Sequence, residues 1–339
     1  MPQMNEPPVA LVSEVARDLL ASRIGKDPTP LRWAISRPDA ALAPELLAQV
    51  SVAFMSLDLV SGSATDKLAP ELSHFFEQLR ACAKLRWLHV CSAGADRPIF
   101  KELLARGVRI TTSSGANAAE VSHSALAGFL ALSRGVVRWV DAQRRHEWSP
   151  LKGTLAPRDI EGQTAVVVGL GPIGREIARL LDAFRVEVIG VRRTSEPVAC
   201  CAEVVPYARL DAVLPRADWL ILACPLTRET QGLIGARQLE LLRKGAHLIN
   251  VARGPVVREP DLIEALRSGR LGGAYLDVFE KEPLPAESPL WDLPGVLISA
   301  HCAGYSGGLH LRTQERFLEN LHRWMQGAEL QNEVAAPSP

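Results

Sequence analysis

Hydrophobic and polar positions follow two alternating rhythms along this chain. Short apolar runs read as strands, and between them apolar residues recur at intervals of three and four, as on the buried face of a helix. In the first third, the predicted strands are Leu31–Ile35, Val52–Met55, Trp87–Val90 and Val108–Thr111. Pro44–Gln49, Pro70–Ala83 and Pro98–Arg106 read as helices between them. A long helical stretch, Ala118 to Arg145, follows, and then a loop, Glu147–Gly162, with two prolines and two glycines. The second series of strands is Ala165–Val168, Val186–Val191, Trp219–Ala223, Leu248–Val251, Ala274–Val278 and Val296–Ser299. An amphipathic helix from Leu309 to Met325 closes the pattern, and the terminal NEVAAPSP reads as frayed. Strands alternating with helices predict parallel sheets covered on both faces, hence an α/β protein of doubly wound domains.

Composition narrows this picture. A chain of 339 residues implies two domains, and an apolar fraction of 47 % can fill two cores. Lysine plus arginine equals aspartate plus glutamate at 38 each, so no net field draws the protein to nucleic acid or an anionic membrane. No apolar run approaches the roughly 20 residues needed to span a bilayer. The start, MPQMNEPPVA, lacks a basic-then-apolar signal pattern. The expected location is cytoplasmic. The six cysteines (Cys82, Cys91, Cys200, Cys201, Cys224 and Cys302) match no zinc or redox spacing and read as small apolar side chains; no metal site is expected.

The first chemical signal is VVVGLGPIG, Val166 to Gly174. An apolar strand enters a Gly-x-Gly-x-x-Gly turn and a helical pattern leaves it. That context marks a dinucleotide site. Gly169 permits the tight turn, Gly171 lets backbone approach a diphosphate, and Gly174 lets helix and strand pack closely. The next strand ends in Arg192, Arg193 and Thr194, where an NAD enzyme would carry an acidic residue. Two guanidiniums and a hydroxyl suit a 2′-phosphate, so NADP(H) is preferred and NAD(H) possible.

Three later turns each carry a reactive side chain beyond a predicted strand: Arg253 in NVARGPVV, Glu282 in DVFEKEPLP and His301 in SAHCAGYS. Such turns lie at the ligand-binding edge of an open α/β sheet. Hydride delivery to a carbonyl requires an acid for the developing alkoxide, and histidine suits that role near neutral pH. A neighbouring carboxylate, Glu282 or alternatively Glu280, would favour the protonated ring and fix its tautomer. An arginine would polarise the carbonyl and grip an adjacent carboxylate. Together these groups imply a 2-keto acid substrate.

GLGPIG, CPLTRET, LINVARGPVV, LGGAYLDVFEKEPLP and SAHCAGY resemble the D-isomer-specific 2-hydroxyacid dehydrogenase family, and nearly the whole of Arg86 to Trp324 shares the resemblance. It implies Arg253 as substrate ligand, Glu282 as partner of His301, because the family's glutamate directly precedes proline, and His301 as acid/base. It places Pro172 and Ile173 at the diphosphate, Pro225 beside the adenosine, and Val251 and Ala252 beside the nicotinamide. Asp277 would meet the carboxamide, and Gly304 would close the loop after His301. Ala93 and Gly94, in Ser92–Asp96, resemble the loop whose amides hold the substrate carboxylate. The implied architecture is a Rossmann cofactor domain, 118–304, inserted into a flavodoxin-like substrate domain, 1–117, to which 305–339 returns. A cleft between domains and a homodimer built near Ala118–Pro150 complete the expectation.

Some positions depart from the family pattern. His123 stands where members often carry a different helix entry, and it reads either as structural or as lining the site. Trp148 resembles an aromatic that reaches the partner's pocket in some members, or else an interface or core residue. Before about Arg80 little signature remains. The arginine pair and the resemblance to glyoxylate/hydroxypyruvate reductases favour glyoxylate or hydroxypyruvate. The alternatives are a reductase of bulkier 2-keto acids, a phosphoglycerate-type dehydrogenase and a corepressor-like dinucleotide sensor.

Overall fold

The computed structural model describes residues 7–24, 31–61 and 68–334. They form two compact units, one comprising 1–117 with 306–339 and the other 118–305.

The first unit is built on a five-stranded parallel sheet: β1 Val9–Ser13, β2 Arg32–Ser36, β3 Val50–Met55, β4 Trp87–Val90 and β5 Arg109–Thr112, in the order β2-β1-β3-β4-β5. This is the flavodoxin-like order. The pattern analysis missed β1 and the helix Glu14–Ile24 that follows it. β1 is only five residues long, but all five are buried and pair with both β2 and β3. A strand buried on both faces has no alternation to reveal it. The helix Leu309–Met325 belongs to this unit because Phe317 and Leu321 are fully buried in its core. Phe317 stacks on Phe54 at 4.7 Å and on Trp87 at 5.4 Å between ring centroids.

The tail is not frayed as far as Val334. Thr112 donates to the Asn332 carbonyl and Val334 to that of Ile110. Arg109 grips Glu333 with two hydrogen bonds of 2.6 Å. The tail thus covers the exposed edge of β5, whose backbone groups would otherwise lack partners. The last five residues of NEVAAPSP, like the first six of the chain, lie outside the described residues.

The second unit carries seven parallel strands: β6 Thr164–Val168, β7 Glu187–Arg192, β8 Glu203–Pro206, β9 Trp219–Leu222, β10 Ala246–Asn250, β11 Leu271–Leu276 and β12 Val296–Ile298. Their order is β12-β11-β10-β9-β6-β7-β8. The sheet reverses between β6 and β9, which is where a doubly wound sheet opens its ligand crevice. β8 also escaped the pattern analysis, being a four-residue edge strand that ends in proline. The expected helix Ala118–Arg145 is two helices, Ala118–Arg134 and Val136–Arg144. Gly135 breaks it with φ of 71°, and a Cβ there would lie 2.6 Å from Leu151.

Among the described residues no helix is long and apolar enough to cross a membrane, and no group of three or more histidine, cysteine, aspartate or glutamate side chains could hold a metal ion. All six cysteines are free. Burial pushes the Cys82 thiol up to about 11 and the Cys224 thiol up to about 12.

Candidate active site

The glycine turn lies where β6 ends. Gly169 takes φ of 96°, and a Cβ there would lie 2.5 Å from the backbone of Cys224, just past β9. At Gly174 a Cβ would overlap the Gly169 carbonyl. Both glycines are required by close approach. Gly171 differs, because a Cβ there would meet nothing within 4 Å. The turn is open on that side, at the start of the helix Pro172–Asp182. The amides of Ile173 and Gly174, in its first turn, have no intrahelical acceptor. Proline opens this helix without sacrificing a needed donor. An open turn, first-turn amides and the positive end of the helix dipole fit a diphosphate.

Arg192, Arg193 and Thr194 follow at the end of β7. Arg192 faces Glu196 at 3.9 Å, Arg193 faces Glu229 at 3.6 Å, and the Thr194 hydroxyl reaches Glu196 at 3.5 Å. Both glutamates and Arg193 are largely exposed, so these pairs contribute at most about 1 kcal/mol. A phosphate offers the arginines shorter, bidentate bonds and can displace the glutamates.

The reactive side chains come from the ends of β10, β11 and β12. His301 Nδ1 lies 2.7 Å from Glu282 Oε2. The other oxygen, Oε1, accepts from the Phe279 amide at 3.1 Å. Glu280 is elsewhere, its Oε1 accepting from the Glu259 amide. Burial opposes the charge on Glu282. Hydrogen bonding to His301, that ring's charge, the Phe279 amide and Arg253 together outweigh it, holding the carboxyl below its ordinary range. The His301 side chain is 49 % exposed.

The Arg253 turn packs directly on the Glu282 turn. Gly254 touches the Phe279 carbonyl so closely that a Cβ would overlap it. Asn250, 2 % exposed, clamps this turn from below: its Oδ1 accepts from the Ala252 amide and its Nδ2 donates to the Arg253 carbonyl. Arg253 itself donates to the Ala252 carbonyl at 2.7 Å. Sequence reasoning passed over Asn250. Its signal was a polar residue ending an apolar strand, LIN, immediately before a functional turn.

Asp277 is 4 % exposed, and its Oδ1 accepts from the Ser299 hydroxyl and from the Cys302 and Ala303 amides. One oxygen of the expected carboxamide ligand is therefore spent on shaping the His301 loop. Pro225 follows β9, with its carbonyl taken by the Thr230 hydroxyl. Val251 and Ala252, past the end of β10, are buried, and Gly304 is half-buried after His301. All these residues lie at the carboxyl edge of one sheet. Ala93 and Gly94 belong to the first unit, past β4, where the Ser92 hydroxyl donates to the Gly94 carbonyl and tightens the turn. His123 is exposed, and its charge helps Arg179 hold the Glu176 carboxyl low. Trp148 is 95 % exposed, so it is not a core residue of this chain.

Residues 126–303 match the model described as D-isomer specific 2-hydroxyacid dehydrogenase, NAD binding domain. Over 258 residues the chain is 33 % identical to a glyoxylate reductase of Korarchaeum cryptofilum, covering 74 % of this chain and 76 % of that one. Over 291 residues it is 32 % identical to glyoxylate/hydroxypyruvate reductase B of Escherichia fergusonii, covering 84 % and 87 %. A solved D-isomer specific 2-hydroxyacid dehydrogenase from Xanthobacter autotrophicus Py2, in complex with NADPH and MES, superposes with a TM-score of 0.77 at 28 % identity, covering 98 % of each chain.

Proposed function

Because the chain belongs to the D-isomer specific 2-hydroxyacid dehydrogenase family, and is thereby an NAD(P)-dependent oxidoreductase, we propose that it reduces a small 2-keto acid to the D-2-hydroxy acid. Glyoxylate and hydroxypyruvate are the substrates this reading favours, with NADPH preferred over NADH. The observation that carries it is the 2.7 Å bond between His301 Nδ1 and Glu282. The reductase names of two relatives and the NADPH bound to a structural neighbour support the substrate and cofactor.

The reduced nicotinamide, when bound, supplies the hydride. Gly169, Gly171 and Gly174 shape the turn for its diphosphate, with Pro172 and Ile173 at the helix start. Arg192, Arg193 and Thr194 take the 2′-phosphate, Pro225 the adenosine side, and Val251, Ala252, Asp277 and Gly304 the nicotinamide side. Only Asp277 Oδ2 remains for a carboxamide, since Oδ1 already accepts three bonds.

The proton comes from His301. Glu282 holds the Nδ1–H, so Nε2 faces the substrate and carries the mobile proton. As the carbonyl carbon gains the hydride, the carbonyl oxygen takes this proton and becomes the hydroxyl. The ring is left neutral, still anchored through Nδ1. Arg253 binds the substrate carboxylate and favours charge on the carbonyl oxygen. Ala93 and Gly94 supply backbone amides to the same carboxylate. The active form in this reading is a homodimer, with Trp148 at the interface.

The test follows loss of reduced-nicotinamide absorbance, pairing NADPH and NADH with glyoxylate, hydroxypyruvate, pyruvate and phenylpyruvate. The reading expects fast NADPH oxidation with the two small polar acids. Turnover confined to the aromatic acid would overturn the substrate, and a preference for NADH would overturn the cofactor assignment.

A further inference from the structure

His301 adopts φ of 51°, in the left-handed region, without being glycine. That conformation costs on the order of 1–2 kcal/mol and persists only where its surroundings impose it. Its own amide donates to the Asp277 carbonyl at 2.9 Å, and the next two amides, of Cys302 and Ala303, converge on Asp277 Oδ1. Asp277 in turn accepts from the Ser299 hydroxyl at 2.6 Å. A serine has one hydroxyl proton. With that proton on Asp277, a hydrogen bond across the 2.9 Å contact between the Tyr275 and Ser299 hydroxyls runs from tyrosine to serine, and the Tyr275 hydroxyl also meets Ser124. The donations to Asp277 are therefore fixed, from the serine hydroxyl and the loop amides, with the Tyr275 hydroxyl against Ser299 at the outer end.

The far end of this chain is anchored in the helix Ala118–Arg134. Tyr275 is 8 % exposed, and its ring fills a notch at Gly128, where a Cβ would come within 2.5–2.8 Å of three of its atoms. One turn earlier in the same helix, Ser124 donates to the Ala303 carbonyl at 3.0 Å. The His301 loop is thus held on both sides, through Asp277 and through Ser124. Nothing in the hydride or proton chemistry uses Tyr275 or Ser299 directly.

We propose that Tyr275 and Ser299 are positioning residues, which set the bond between His301 and Glu282 by fixing the Asp277 carboxylate under the His301 loop. The proposal rests on the reading of His301 as acid/base, but the geometry it invokes can be tested apart from turnover. Ser299→Ala removes the donor to Asp277 and leaves the Tyr275 hydroxyl its contact with Ser124. Tyr275→Phe removes the outer hydroxyl, with its contacts to Ser299 and Ser124. Ser299→Thr retains the hydroxyl.

The experiment combines steady-state kinetics with nitrogen-15 NMR of histidine-labelled protein, the His301 resonances being assigned by their loss in His301→Gln. The proposal expects kcat to fall about 30-fold in Ser299→Ala and about fivefold in Tyr275→Phe. Ser299→Thr should restore kcat to within about threefold. The Nδ1 signal should shift in the two deletion variants and stay in place in Ser299→Thr. An unchanged Nδ1 signal in Ser299→Ala overturns the proposal, whatever happens to kcat. So does a shift that Ser299→Thr reproduces in full, which would mark mere packing. Should no keto acid be turned over, the acid/base reading fails on kinetics while the NMR series still decides whether the network positions the ring.

Discussion

Gly254→Ala is a one-carbon change that separates two turns. In the parent, Gly254 lies against the carbonyl of Phe279 and the amide of Glu280, and a Cβ would overlap both. Real Cβ atoms essentially never approach closer than 3.0 Å, so the turns must part by on the order of 1 Å. No flexible side chain can absorb this, because the obstructing atoms are backbone. The displacement falls on Arg253 from one side and on Glu282 from the other, since Phe279 also donates to Glu282. Misplacement of this size costs about 10²-fold in rate, equivalent to about 2.7 kcal/mol of barrier. Stopped-flow or steady-state NADPH oxidation would read it as a loss in kcat/KM for the keto acid. A thermal melt run in parallel establishes that the variant is folded. A folded Gly254→Ala with kcat/KM within twofold of the parent would refute the claim that this contact sets the site.

Other expectations follow from the same physics. Arg192→Asp should lower kcat/KM for NADPH 10–100-fold and leave NADH within about threefold, because it removes a phosphate ligand and supplies a ribose one; an unchanged cofactor ratio argues against the assignment. His89 is fully buried between Thr111 and Ser113, and burial drives its pKa down to about 3, with Arg316 adding to the shift. The unfolded chain then binds a proton that the folded one refuses. Stability should therefore fall as pH drops from about 6.5 towards 3, by up to about 1.4 kcal/mol per pH unit from this one group. Urea melts from pH 7 to 4.5 should show that slope, and His89→Asn should flatten it; equal slopes would show that the group is not linked. Trp148, Trp139 and Leu155 are each exposed, and on the homodimer reading light scattering should find a dimer that a Trp148→Ala/Trp139→Ala variant weakens at least tenfold. A monomeric parent would remove the interface from the account.

Much of the second unit was legible because local chemistry and global placement coincide there. Gly169 and Gly174 are required by contacts within their own turn and by the strand beside it, so the motif carried its structure with it. Arg253, Glu282 and His301 were readable because each follows a strand of a parallel sheet, and such strands deliver their ends to one edge. The choice of Glu282 over Glu280 as the partner of His301 came from resemblance, and only side-chain geometry separates two glutamates two residues apart. Other features were hidden for definite reasons. β1 is buried on both faces and β8 is a short edge, so neither has a period to detect. Tyr275 and Ser299 are 24 residues apart in sequence, and their hydrogen bond exists only because β11 and β12 are neighbours. The pairing of Asn332–Val334 along β5 likewise depends on an edge contributed by a distant segment.

The central claim is that His301, oriented by Glu282, is the proton donor, and the most direct test is His301→Gln with NADPH and glyoxylate or hydroxypyruvate. Glutamine keeps a polar group in place but has no proton to transfer. The account predicts a fall in kcat of about 10³-fold, within the range that general acid catalysis contributes, with the dissociation constant for NADPH unchanged within twofold. A variant that retains kcat within tenfold of the parent would contradict it and place the proton donor elsewhere.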